Sequence, residues 1–145
     1  MAGTLAAMVL RTRVVLSVFV LWTVFVWGNR ISNTLRSEES VATKTFSTVL
    51  SVVLLAFAAA IVVVLVRSWT SGIGAGGAKV LMAAAALTVV VWLVRVPQIL
   101  LADHTSAFKV VHVALGVISV VLAALVWQIG AAALGDRDRS VIERV

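Results

Sequence analysis

The run FSTVLSVVLLAFAAAIVVVLV, residues 46–66, decides the fold: 21 residues without one ionisable side chain. An α-helix rises 1.5 Å per residue, so such a run reaches about 30 Å, the thickness of a bilayer's hydrocarbon core. The whole chain leans the same way. Of 145 residues, 62% are hydrophobic and 12% charged, where soluble domains are about half apolar and about a quarter charged. Mean hydropathy is +1.15. A soluble fold of this composition would have no polar coat, so most of its surface must be solvated by lipid. The expectation is an all-α integral membrane protein, one four-transmembrane-helix bundle running up-down-up-down over residues 1–145.

Working outward, the other spans are read at about 10–30, 79–101 and 107–130, with the second at 44–66 and a charged tail at 135–145. Arg11 and Arg13 interrupt the apolar start MAGTLAAMVL and can snorkel to a head-group region. A basic pair before an apolar core also suits a signal peptide. Trp27-Gly28-Asn29-Arg30 offers no small-x-small cleavage pattern, which favours a retained helix. Between the first two spans, GNRISNTLRSEESVATKT (28–45) is polar. Ile31 and Leu35 are one turn apart, which carries the first helix beyond the membrane. Ser37 followed by Glu38 and Glu39 predicts an N-cap with acids in the first turn of the second helix. SGIGAGG (71–77) lacks the preceding strand and the Lys-Ser/Thr of a phosphate loop, so it is read as a flexible connector. Ala83–Ala86 gives the third helix a thin surface for close approach, and Pro97 interrupts its hydrogen bonding near Leu93. Thr105 or Ser106 caps a fourth helix ending at Gly135.

Net charge is +6, but the basic residues are scattered at the ends of apolar runs, which argues for membrane flanking and against nucleic acid. With four spans, the side bearing both termini carries Arg11, Arg13, Arg67, Lys79, Arg137, Arg139 and Arg144. The other carries Arg30, Arg36, Lys44, Arg95 and Lys109. Seven against five favours a multi-pass cell membrane protein with both termini cytoplasmic. There is no cysteine, which removes disulfides and thiolate chemistry.

The rare chemistry gathers in RVPQILLADHTSAFKVVH (95–112), which holds both histidines and the one proline. Arg95, Gln98, Asp103, His104 and His112 fall on the side opposite the termini, where Asn29, Arg30, Asn33, Lys44, Thr45 and Ser47 could reach the same layer. Of these, Arg95, Gln98, Asp103, His104, His112, Asn29, Arg30 and Asn33 are the candidate binding or partner-contact residues. Arg95 shares a helix face with Trp92 and Gln98. His112 shares one with Gly116, Ser119 and Ala123, a small-residue stripe that normally packs against another helix. Two readings stand. Ionisable groups within a membrane default to a functional vestibule. The plainer alternative is anchoring near the interface, with Arg95 snorkelling and His112 bonded to a carbonyl, and that reading is favoured.

Haem would need imidazoles on opposite faces of one porphyrin. His104 and His112 lie eight residues apart, about 12 Å along a helix, so the expectation is no cofactor. Asp103, His104 and His112 are too irregularly spaced to predict a metal site. No nucleophile–base pairing points to an enzyme. In length, span number and weak charge bias the chain resembles the small multidrug resistance exporters. Their first-helix carboxylate is missing from VVLSVFVLWTVFVW (14–27), which departs from the family at its defining residue. TKTFSTVLS (43–51) is similar to the threonine/phenylalanine/serine run of small four-span fluoride channels, but stands in the second span instead of the third. Neither comparison makes the chain a member. What the residues suit best is a non-catalytic accessory or scaffold subunit of a larger membrane complex, such as a respiratory or transport assembly. The alternative is a homo-oligomeric ion channel or small-molecule transporter. The expected partners are the lipid bilayer and other membrane subunits or further copies of the chain.

Overall fold

The structure is a computed structural model that describes residues 2–38 and 40–142, without the side chains of residues 2, 4, 5 and 136–142. It is all-helical: α1 (Ala2–Arg36), α2 (Val41–Ser71), α3 (Ala75–Leu101) and α4 (Ser106–Ile142). All four are long and apolar enough to span a membrane. The end of α1 lies against the start of α2, where Arg30 Nη2 donates to Ser47 Oγ at 3.2 Å. The start of α1 lies against the end of α2, where the Arg13 guanidinium sits 5.3 Å from the Trp69 ring. Packing is broadest between α3 and α4 and between α1 and α2, and narrower at the α1–α4 and α2–α3 seams.

The helix ends depart from the sequence reading in three places. The second helix does not begin at Ser37-Glu38. Ser37 N and Oγ both donate to the Thr34 carbonyl, closing the end of α1. Ser40 is the N-cap of α2, its Oγ accepting from Thr43 N at 3.3 Å. Glu38 is left in the connection, and Glu39 lies outside the described residues. The glycine-rich connector shrinks to residues 72–74, with Gly76 and Gly77 inside α3. Gly72 closes α2 with φ +69°, a left-handed conformation that disfavours other residues. Gly135 does not end α4. A glycine stop needs the left-handed turn that, among the described residues, only Gly72 adopts, so α4 continues to Ile142. The charged tail therefore begins as helix, and its last residues, 143–145, lie outside the described ones. At the α3–α4 corner, Thr105 caps the new helix through Phe108 N, while Pro97 sits within α3, which runs on to Leu101.

The core is built from small and medium side chains. Leu16 and Phe19 of α1, Ala58 and Ile61 of α2, Leu81, Ala84 and Ala85 of α3, and Ala123 and Val126 of α4 form one buried cluster. Trp27, Leu54 and Val91 form a second. Gly116 and Gly130 let α4 press onto α3: a Cβ at either would fall within 3 Å of a neighbour, Trp92 at one and the Ala78 carbonyl at the other. The outside is apolar, with Leu21, Phe25, Val63, Leu93 and Val117 all exposed. That inverts the soluble pattern, in which large apolar patches are small and few.

Candidate functional site

One group of inward-facing polar side chains lies at the Trp27 end of α1. Spacings of three and seven residues put Trp27, Arg30 and Thr34 along one side of α1, and Trp27 and Thr34 are buried. From α2, Ser47 is buried and receives the Arg30 guanidinium. From α3, the Trp92 ring lies 6.4 Å from the Trp27 ring at 54°, and the Arg95 guanidinium sits 5.7 Å from the centre of Trp27. Both distances suit attraction through the ring quadrupole. Arg95 thus meets an aromatic ring of α1. Its presumed neighbour Gln98 is exposed, and Trp92 is buried.

This layer is rich in donors. Arg30 Nε, Trp92 Nε1 and Thr34 Oγ1 are buried without a hydrogen-bond partner. The first two can only donate, and a buried donor left unmade costs about 1–3 kcal/mol. Chemically, the layer can take up an acceptor such as a carbonyl or carboxylate oxygen.

The remaining candidates stand elsewhere. His104 and His112 both lie against the Phe108 ring, with centroids at 4.5 Å and 3.8 Å. His112 Nδ1 also donates to the Phe108 carbonyl at 2.8 Å, which ties the imidazole to its own helix. The ring is half-buried and His104 is exposed. Lys109 Nζ donates to the Leu100 carbonyl at 2.9 Å and so closes the end of α3. Asp103 and Asn33 are exposed; Asn29 is exposed too, its amide donating to the Phe25 carbonyl. Among the described residues no three His, Asp or Glu side chains gather as metal ligands would.

The structure sets Arg95 against Trp27, one turn from Arg30 along α1, and keeps the two histidines in a separate stack. Trp27 and Thr34 are the members that sequence reasoning did not single out. Thr34 at Trp27 + 7 is the periodic signal that could have found them. Deeper in the bundle, Gly116, Ser119 and Ala123 are buried. Trp22 Nε1 donates to Ser119 Oγ at 2.9 Å, and Ser119 in turn donates to the Leu115 carbonyl. Ser51 and Thr88 bond their own helices, through the Ser47 and Ala84 carbonyls. No family model matches the chain, and no curated protein or solved structure shows significant similarity to it.

Proposed function

We propose that the protein is a multi-pass cell membrane protein, an up-down-up-down bundle with both termini cytoplasmic, serving as a non-catalytic accessory or scaffold subunit of a larger membrane assembly. One observation carries this reading. The middle of the bundle is closed by Leu16, Leu54, Ile61, Leu81 and Val126, all fully buried, while large apolar side chains cover the outside. A single chain with such a centre is a packing unit more than a conduit. Its surface offers other helices the van der Waals contact through which membrane subunits associate. One polar pair in the middle, Trp22 with Ser119, ties two helices together.

The test is purification of the full-length chain from its native membrane in a mild detergent, with identification of what accompanies it. The expected result is co-migration with larger membrane subunits. Recovery as a free homo-oligomer that conducts ions in liposomes would overturn the proposal in favour of a channel formed between copies.

A further inference from the structure

The narrow α1–α4 seam opens, beside the turn at Gly72 and Ile73, into a cavity of about 470 Å³. That is within the ~300–1,000 Å³ of small-ligand sites. Its lining has two chemistries. Arg11 and Arg13 reach it from α1, Ser68 from α2 and Gln128 from α4. Val15 and Leu125, each one turn or less further toward the middle of its helix, supply apolar wall. None of the described residues lining it is acidic. The Arg13 guanidinium is held 5.3 Å from the Trp69 ring. A guanidinium set against an aromatic face keeps its planar fork for an anionic acceptor. Arg11 is exposed and Arg13 half-buried, Arg13 beside Trp69, two residues past the point where the charge-free run of α2 gives way to Arg67. Two cations therefore stand at the rim of an apolar recess, at the level of a lipid head group.

We propose that this cavity binds an anionic phospholipid, its phosphate at the rim that Arg11 and Arg13 line and the first part of an acyl chain against Val15 and Leu125. Charge and shape select the occupant. A free phosphate would leave the apolar wall unused. A zwitterionic lipid would bring an ammonium or choline group for which the described lining offers no carboxylate. Basic pockets between membrane helices recognise phosphate-bearing head groups on these terms. The inference rests on the membrane reading above and adds a ligand to it.

The test is native mass spectrometry of the full-length chain in a mild non-ionic detergent. Phosphatidylglycerol and phosphatidylcholine with identical acyl chains are titrated separately, and inorganic phosphate is added as competitor. An arginine near an anionic head group is worth about fivefold in affinity, so the pair predicts a preference of roughly 30-fold for phosphatidylglycerol. The double variant Arg11→Gln/Arg13→Gln should lose that preference. Arg67→Gln, which removes a charge outside the cavity, should keep it. Equal retention of the two lipids by the unaltered chain overturns the proposal, and that comparison needs no variant to fold. An equal loss in Arg67→Gln overturns it as well, by making the effect one of general charge. Displacement by inorganic phosphate at the lipid's own concentration overturns the lipid as occupant. Failure of the membrane reading looks different: the chain would not float with liposomes of any composition.

Discussion

A methyl group added at Gly116 would lie 2.8 Å from Cε3 of Trp92 and 2.9 Å from Cγ2 of Val96. Overpacking of this kind costs about 1–3 kcal/mol, more than the ~0.5–1 kcal/mol that alanine gains over glycine inside a helix. Gly116→Ala is therefore expected to lower the thermal midpoint in detergent. Gly28→Ala, where nothing lies within 4 Å, should raise it. Equal shifts in one direction would show that the α3–α4 contact is looser than 2.8 Å implies. The tryptophans give a second contrast from one chemical change. Trp22→Phe removes the N–H that bonds Ser119, and interhelical bonds in membranes are worth on average about 0.6 kcal/mol and at most about 1.7. Trp92→Phe removes a buried N–H without a partner, so relief of about 1–3 kcal/mol offsets the smaller ring. Thermal melts should show Trp22→Phe destabilised and Trp92→Phe unchanged or more stable. In a double-mutant cycle, Trp22→Phe should couple to Ser119→Ala and not to Thr88→Ala. A loss at Trp92→Phe as large as at Trp22→Phe would mean that the Trp92 N–H has found an acceptor.

Each helix is a contest between apolar length, which the sequence displays, and end chemistry, which it displays only as alternatives. The charge-free run 46–66 announces α2 without ambiguity. Ser37 and Ser40 both precede residues able to begin it, and tertiary context chooses. Once α1 continues to Arg36, Ser37 is taken up by the Thr34 carbonyl and the cap passes to Ser40. Replacing an N-cap serine by alanine costs about 1 kcal/mol. Ser40→Ala should therefore speed hydrogen exchange of the amides at Thr43 and Lys44, while Ser37→Ala leaves them protected. The reverse order would return the helix start to Ser37. The candidate site was legible to a similar degree. Arg30 and Arg95 stand out because charges are rare in apolar runs, and both fall in the Trp27 layer. The histidines stand out for the same reason and fall outside it, because rarity marks a residue without fixing how its helix is turned. Trp27 and Thr34 were hidden for the converse reason. Tryptophan near a span end is ordinary belt composition, and only the rotation of α1 against α2 and α3 places it beneath Arg95. The Arg11–Arg13 cavity depended on three helices meeting, which no local pattern encodes.

At the scale of the whole molecule, the exposed apolar side chains and the placing of the arginines carry the proposal of a membrane bundle with cytoplasmic termini. Val62, Val63, Leu93 and Val121 are exposed on α2, α3 and α4, a surface that suits hydrocarbon better than water. The proposed direction rests on which short segments carry more Lys and Arg. The excess, seven against five, lies with the termini and the Gly72–Gly74 turn. The absence of native cysteine makes this testable without background labelling. Glu38 and Asp103 are exposed in the first and third connections, and Gly74 is exposed in the second with nothing within 4 Å of a Cβ and an ordinary φ of −73°. Each accepts a cysteine without repacking. In intact cells, a membrane-impermeant maleimide should label Glu38→Cys and Asp103→Cys. Gly74→Cys should react only after the membrane is opened. Labelling of all three from outside would overturn the up-down-up-down arrangement. Equal partial labelling of each from both faces would show insertion in two orientations and overturn the assignment of cytoplasmic termini. Moving the charge supplies the causal check. Glu38→Lys with Ser40→Lys cancels the bias, from seven against five to seven against seven, and removes one acid from the far side, so the protection of Gly74→Cys should fall. If it holds unchanged, the apolar lengths of the spans, and not the arginines, set the direction.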